Sequence, residues 1–242
     1  MEKLSASKEV KQFYYDYYNG PSEWRRLGAI DKANNIIRLC NQYPHNSILE
    51  IGSGEGSVLQ RLSDLEFPHK MFSLEISENA VEITNRRKIK SLIECRLFDG
   101  RNIPYEDNSF DLAILTHVLE HVEQPGQILL EAGRVAPYVF VEVPLEDNIR
   151  LKKEAAFSKS GHINFYSAKT IIKLIQSSGF EILAQTITNS SYKIYQFQYG
   201  AIGILSYLIK EAVLQIFPSR TAAEFFTYNC SLLCRKTVAN PK

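Results

Sequence analysis

The chain has 242 residues, 45% of them hydrophobic, which suits one domain with additions and is enough for a sizeable core. Its formal net charge of +1 excludes a global electrostatic pull toward nucleic acid or acidic membrane. The four cysteines, Cys40, Cys95, Cys230 and Cys234, form no C-x-x-C pair, so neither a zinc ribbon nor a dithiol redox site is signalled. Scattered thiols suit a reducing compartment, and a cytoplasmic location is expected.

In chain order, residues 1–28 form a preface rich in aromatics, including Tyr14, Tyr15, Tyr17, Tyr18 and Trp24, and read as a helical cap on a main domain of residues 29–242. The polar start, Met1 to Lys11, does not read as a signal peptide. Apolar positions Ile30, Ile36, Ile37 and Leu39 predict a helix over Ala29–Cys40. Ser47–Ile51 reads as a strand, Gly56–Leu65 as a helix, Lys70–Glu75 as a strand, and Ser77 as the cap of a helix carrying Ala80, Val81, Ile83 and Thr84. Strands follow at Ser91–Leu97 and Phe110–Leu115, the second set up by the turn signal Glu106–Ser109. Pro125 opens a helix to Val135, Tyr138–Val143 is a strand ended by Pro144, and Ser167 caps a helix stopped by Gly179. Strands at Phe180–Ile187 and Phe225–Arg235 complete the pattern, separated by an insertion, residues 189–224, with an apolar helix at Ala201–Phe217. Lys210, Glu211 and Gln215 interrupt that helix, so no stable membrane insertion is expected from it; a homodimer contact or a lid over a hydrophobic ligand suits it better.

Alternating strand and helix patterns argue for an α/β fold with a mostly parallel sheet, whose ligand sits at the carboxyl ends of the strands. The first strand breaks into Glu50-x-Gly52-x-Gly54-x-Gly56, and glycines there give the tight turn and the close approach of a ligand to backbone. A dinucleotide fingerprint wants glycine where Ser57 stands, and Glu50 would repel a pyrophosphate but not a ligand bearing an ammonium group. Glu75 ends the second strand, placed for two ribose hydroxyls. Asp99-Gly100 follows the third, where a carboxylate can accept from an exocyclic amine while backbone amides read a ring nitrogen. Thr116-His117 ends the fourth, with carbonyls available to an ammonium. A ribose, an aminated base, an amino-acid part and no phosphate describe S-adenosyl-L-methionine.

Over residues 45–188 the chain resembles the class I S-adenosylmethionine-dependent methyltransferases. The resemblance rests on the glycine loop, Glu75, Asp99-Gly100, the run Ile103–Asp111 and His117-Val118-Leu119-Glu120-His121-Val122, the last two similar to the type 11-like branch that methylates quinones, lipids, sugars and secondary metabolites. It implies a Rossmann-like, doubly wound, seven-stranded sheet with the last strand antiparallel. It implies methyl transfer to an oxygen or nitrogen of a small-molecule acceptor, with S-adenosyl-L-homocysteine as product. It assigns Glu50, Gly52, Gly54, Glu75, Asp99, Gly100, Thr116 and His117 to the cofactor. On the acceptor side stand His121 and His162 as candidate bases, with Glu142 and Pro144 at the end of the fifth strand. Tyr14, Tyr17, Tyr18 and Trp24 are candidates for packing over a sulfonium or the acceptor.

Four other readings compete. His117-x-x-Glu120-His121 matches an inverted zinc-peptidase pattern, but it starts where a parallel strand ends and no downstream acid marks a third ligand, so no metal is expected. Arg150, Lys152, Lys153 and Lys159 read as a solvated face rather than an anion site. With no Asn-Pro-Pro-type segment and no basic patch interleaved with aromatics, nucleic acid is not expected as a partner. A non-catalytic cofactor-binding regulator remains the alternative to an enzyme.

Overall fold

Strands that are buried on both faces read as near-continuous apolar runs, and this governs the centre of the molecule. The computed structural model describes Tyr18 and residues 23–151 and 161–237. Their elements are α1 (Glu23–Cys40), β1 (Ser47–Ile51), α2 (Ser57–Asp64), β2 (Lys70–Glu75), α3 (Glu78–Arg86), β3 (Leu92–Leu97) and β4 (Leu112–Thr116). Then come α4 (Pro125–Val135), β5 (Tyr138–Pro144), α5 (Ala168–Ser177), β6 (Phe180–Thr188), α6 (Tyr192–Ile216), α7 (Ser219–Phe225) and β7 (Asn229–Lys236). The sheet order is β3-β2-β1-β4-β5-β7-β6, parallel from β3 through β5, with β7 antiparallel to both β5 and β6. This is the Rossmann-like, doubly wound sheet expected from sequence, and β7 is the antiparallel strand.

Alternate strand residues feed two cores. Ile48, Met71, Leu112, Ile114, Phe140 and Leu233 pack with α1 and α2, whereas Leu49, Leu74, Ala113, Leu115, Val141 and Leu232 pack with α4, α5 and α7. Capping fixes the helix ends: Ser77 Oγ accepts from Ala80 N, Pro125 starts α4, and Ser167 and Thr170 form a reciprocal capping box on α5. Order reverses between β1 and β4, so the crevice of the fold opens above those two strands.

Three boundaries differ from the sequence expectation. Helix α1 begins at Glu23 and runs through positions 28 and 29 without a break. Residues Ser219–Phe225 form a helix at the end of the expected insertion, with Ala222 and Ala223 buried against the core, and the last strand starts at Asn229 rather than Phe225. The apolar helix starts at Tyr192 and is 25 residues long, enough by length and composition to cross a membrane. It is not straight. Gly200 adopts φ 59°, ψ −139°, and Tyr195 packs its carbonyl where a Cβ on Gly203 would lie. The segment beyond the kink spans roughly 24 Å at 1.5 Å per residue, short of a bilayer core of about 30 Å.

Candidate functional site

The glycine turn is held from three sides. Gly52, Gly54 and Gly56 all have positive φ, at 74°, 55° and 77°, a region that L-residues with a Cβ avoid. A Cβ on Gly52 would meet Val118 Cγ2 at 2.7 Å, and one on Gly54 would meet the Tyr18 hydroxyl at 2.7 Å. From α3, Thr84 Oγ1 donates to Gly54 O at 3.1 Å and Arg87 Nε to Glu55 O at 2.6 Å. From α1, Arg25 stands 3.4 Å from the Glu55 carboxylate.

Glu75 is buried, and its carboxylate accepts from the backbone N–H of Gly54 at 2.8 Å, Ile76 at 2.8 Å and Ser77 at 3.0 Å. Burial raises its proton affinity and these three donors oppose the rise. Oε2 takes only the Gly54 bond, so it keeps a lone pair for a further donor. Asp99 instead holds its own turn: Oδ1 accepts from Arg101 N at 2.8 Å and Asn102 N at 2.7 Å, and Oδ2 from Asn102 Nδ2 at 2.5 Å. There the cavity wall is Phe98, Gly100 and Arg101.

Glu50 is buried at the end of β1, with Thr116 Oγ1 donating to Oε1 at 3.4 Å and no hydrogen-bond partner for Oε2 among the described residues. Burial, only partly offset by Lys32 and Thr116, pushes its pKa up to about 8. Such a carboxylate on a cavity wall suits a cationic ligand group. His117 takes φ 56°, uncommon for a residue with a Cβ, and is held there by its N–H to Glu142 O at 2.8 Å. Its ring stands between two fully buried carboxylates, Nδ1 3.3 Å from Glu120 and Nε2 3.4 Å from Glu142. Glu142 Oε2 also accepts from Asn35 Nδ2 at 2.8 Å and Ser231 Oγ at 2.7 Å. Burial works to raise the Glu142 pKa, but the His117 and Ser231 contacts outweigh it and hold it low.

The turn after β4 is not helical, so the i, i+4 spacing of His117 and His121 does not put them on a helix face. His121 turns to the other side and meets His162, with ring centroids 4.7 Å apart. Residues 161–166 are stitched to this turn: Ile163 N and Asn164 N donate to Glu120 O, Asn164 Nδ2 to Leu119 O and Val122 O, and Tyr166 OH to Leu119 O. His162 Nδ1 lies 2.5 Å from Glu146 Oε2. Burial works to lower the His162 pKa, and Glu146 more than reverses it. His121 is shifted down, mainly by burial.

One cavity of about 670 Å³ joins these parts, within the range of roughly 300–1,000 Å³ usual for small-molecule sites. Glu50, Gly52, Gly54, Glu75, Gly100, Thr116 and His117 line one end, and His121, His162 and Glu146 line it further along. Tyr18 and Trp24 also line it, whereas Tyr14 and Tyr17 lie outside the described residues. Lys152, Lys153 and Lys159 lie outside them too, and Arg150 stacks on Phe226 at 4.4 Å. Sequence reasoning missed Lys32 of α1 and the group Tyr195, Gln198, Lys210, Thr227 and Asn229. Lys210 is buried, its Nζ bonded to the Tyr195 hydroxyl and, at 2.6 Å, to Thr227 O, and burial pulls its pKa down to about 8. Its one sequence signal was the break it makes in an apolar run.

A mostly parallel sheet, a glycine turn over β1 and a strand-end acid on β2 define a Rossmann-like methyltransferase. A family model described as a methyltransferase domain matches residues 23–185, and the chain belongs to that family, of the class I S-adenosylmethionine-dependent kind. It is 27% identical over 175 residues to an uncharacterised protein of Methanocaldococcus jannaschii, covering 69% of this chain and 80% of the relative. It is 23% identical over 208 residues to a ubiquinone/menaquinone biosynthesis C-methyltransferase of Desulfotalea psychrophila, covering 75% and 77%. Among solved structures, a possible histamine N-methyltransferase of Thermotoga maritima superposes with TM-score 0.63 at 18% identity, covering 94% of this chain and 98% of that one. The chain is therefore an S-adenosylmethionine-dependent methyltransferase. Two features of the site fit that cofactor: a glycine cradle that a single Cβ would fill, and an unpartnered buried oxygen on Glu50.

Proposed function

We propose that this enzyme moves the methyl group to an oxygen or nitrogen of a small-molecule acceptor, of quinone, lipid, sugar or secondary-metabolite type, by in-line displacement. The observation that carries this reading is the single cavity shared by the glycine turn and the His121–His162 pair. Bound S-adenosylmethionine supplies an electrophilic methyl on a sulfonium, and the carbon–sulfur electron pair stays on sulfur in the product. The protein has to hold the two reactants in line and help the acceptor lose its proton. Gly52 and Gly54 admit the methionine part and Glu50 with the Thr116–His117 strand end takes its ammonium. Glu75 takes the ribose hydroxyls through its remaining lone pair, and Phe98, Gly100 and Arg101, on the turn that Asp99 holds, meet the adenine.

His162 and His121 serve the acceptor side, and Tyr18 and Trp24 pack over the reacting groups. Residues 1–28 act as a cap on the domain of residues 29–242. Turnover is followed as S-adenosylhomocysteine released with a panel of phenols, quinols and amines. If neither His162→Ala nor His121→Ala lowers turnover by about tenfold, roughly 1.4 kcal/mol of barrier, both histidines lose this role. A non-catalytic cofactor-binding regulator is the second reading, favoured if no acceptor class turns over while the cofactor binds.

The exposed apolar residues Ile202, Leu205, Leu208 and Ile209 of α6 make this helix the contact of a homodimer. Its kink and the anchoring of Lys210 into the domain disfavour a membrane role, and a cytoplasmic location fits four free, buried thiols. Leu205→Glu should convert a dimer to monomers in light scattering; a wild-type monomer would reject the contact.

A further inference from the structure

We propose that Glu120, His121 and His162 form a binding site for a divalent transition-metal ion of the zinc class at the acceptor end of the cavity. One ligand atom from each lies within 4.8 Å of the other two. Donors about a tetrahedral ion at ~2.1 Å stand roughly 3.4 Å apart, a difference that side-chain rotation covers. Two nitrogens and one carboxylate are the donor set of zinc and its neighbours, whereas magnesium and calcium favour oxygens.

Two further observations point to a cation. Glu120 is fully buried, and neither of its carboxylate oxygens has a hydrogen-bond partner among the described residues. The His117 ring stands beside it, Nδ1 3.3 Å from Oε1 without hydrogen-bond geometry, and turns its Nε2 to Glu142. A buried carboxylate left without donors is costly, and such groups are paired or hold metals. The histidines are also oriented as ligands. His121 Nδ1 faces the Gly161 carbonyl at 3.2 Å, and a carbonyl only accepts, so in the neutral ring the proton sits on Nδ1 and the lone pair on Nε2. His162 Nδ1 is bonded to Glu146 in the same sense, the carboxylate–histidine arrangement that fixes metal ligands. The hydrogen bonds of Ile163 and Asn164 to Glu120 O bring the sequence-distant His162 to the Glu120-His121 pair.

His121 and His162 line the cavity, so the remaining coordination positions face it. An acceptor hydroxyl bound there would lose its proton more readily. That consequence rests on the proposed acceptor site, but the binding of the ion does not. With the ion in place the two histidines act as ligands and not as bases.

The test uses full-length protein stripped with a chelator and then titrated with Zn2+, Mn2+, Co2+ and Mg2+ by calorimetry, with the Co2+ visible spectrum as a coordination readout. One Zn2+ and one Co2+ per chain are expected. Glu120→Gln and His162→Ala should weaken binding at least 100-fold. Glu146→Gln, which touches only a ligand, should weaken it 10- to 100-fold. His69→Ala, exposed and remote from the cluster, should leave it unchanged. Circular dichroism and S-adenosylmethionine binding report folding; if His162→Ala does not fold, Glu146→Gln carries the test. Glu120→Gln should melt no lower than metal-free wild type, but lose the rise in melting temperature that Zn2+ gives. No Zn2+ or Co2+ binding, binding that survives Glu120→Gln, or binding of Mg2+ alone overturns the site. Loss of S-adenosylmethionine binding in the wild type would sink the cofactor reading and leave the metal result standing.

Discussion

The two ends of the cavity are built by different means. The proposed cofactor end comes from one device repeated at neighbouring strand ends, where backbone turns out of β1, β2 and β3 and hydrogen bonds to backbone groups fix it. Glu75 ties its own strand end to the glycine turn 21 residues away. The acceptor end has no local device. His162, Glu146, Lys210 and Tyr195 reach it from separate loops and from α6, and side-chain bonds hold them. The first arrangement can be kept while the second is exchanged. One fold can thus keep a cofactor and change acceptors.

The strongest separation of the two ends is in pH. Glu50 has its proton affinity raised from 4.5 to about 8 by burial, so between those values the folded protein binds more protons than the unfolded chain. Stability of the ligand-free protein therefore falls as pH rises from about 4.5 to about 8 and levels off above. At 1.36 kcal/mol for each tenfold change in proton affinity the span is at most roughly 5 kcal/mol. Urea unfolding at pH 5, 6.5 and 8 should show this slope in wild type and lose most of it in Glu50→Gln. Bound S-adenosylmethionine should flatten it too, because an ammonium favours the carboxylate. Equal slopes in both proteins would remove Glu50 from the ammonium site.

Next in size is Glu75→Ala. Three backbone donors lose their acceptor, each costing about 1–3 kcal/mol when buried, and the glycine turn is no longer tied to β2. Cofactor affinity should drop at least 100-fold by calorimetry, with a lower melting temperature. A variant that binds as tightly as wild type defeats the ribose assignment.

Much of the cofactor end was readable from sequence because its signals are local. The run Ser47–Ile51 into glycines, the acid ending β2 and the Ser77 and Ser167 caps each depend on neighbours within a few positions. Strand–helix alternation pointed to a mostly parallel sheet, and the family resemblance supplied the seven strands and the antiparallel last one. At the acceptor end the sequence named His121 and His162 as candidates, and both line the cavity, but it did not show how they meet: His117 adopts a left-handed backbone beside Glu142, and the His121 and His162 rings stand 4.7 Å apart. No spacing encodes that meeting. The helix at Ser219–Phe225 was hidden for a related reason: seven residues that mix Ser, Arg, Thr and Glu with two alanines and a phenylalanine are too short to show a period, and tertiary packing of Ala222 and Ala223 decides it.

Lys210→Met should act at the acceptor end alone. The buried ammonium, with pKa near 8, bonds Tyr195 and Thr227 O and lines the cavity. Turnover with the preferred acceptor should fall about tenfold, roughly 1.4 kcal/mol, while the Kd for S-adenosylmethionine stays within about threefold (~0.7 kcal/mol). The methionine fills similar volume, so a small change in melting temperature is expected. A cofactor Kd that rises as much as turnover falls would merge the two ends into one unit.

Tyr18→Phe is the finest probe of where they divide. The Tyr18 hydroxyl stands where a Gly54 side chain would begin, and its ring carries Arg25 at 5.6 Å. Removing only the hydroxyl keeps the ring over the glycine turn and takes away one polar group on the cavity wall. A neutral hydrogen bond contributes about 0.5–1.5 kcal/mol, so a loss in cofactor affinity of roughly three- to tenfold is expected. Acceptor KM should not move if Tyr18 belongs to the cofactor end. If KM rises and the cofactor Kd does not, this residue guards the acceptor instead, and the boundary between the two ends lies on the glycine turn itself.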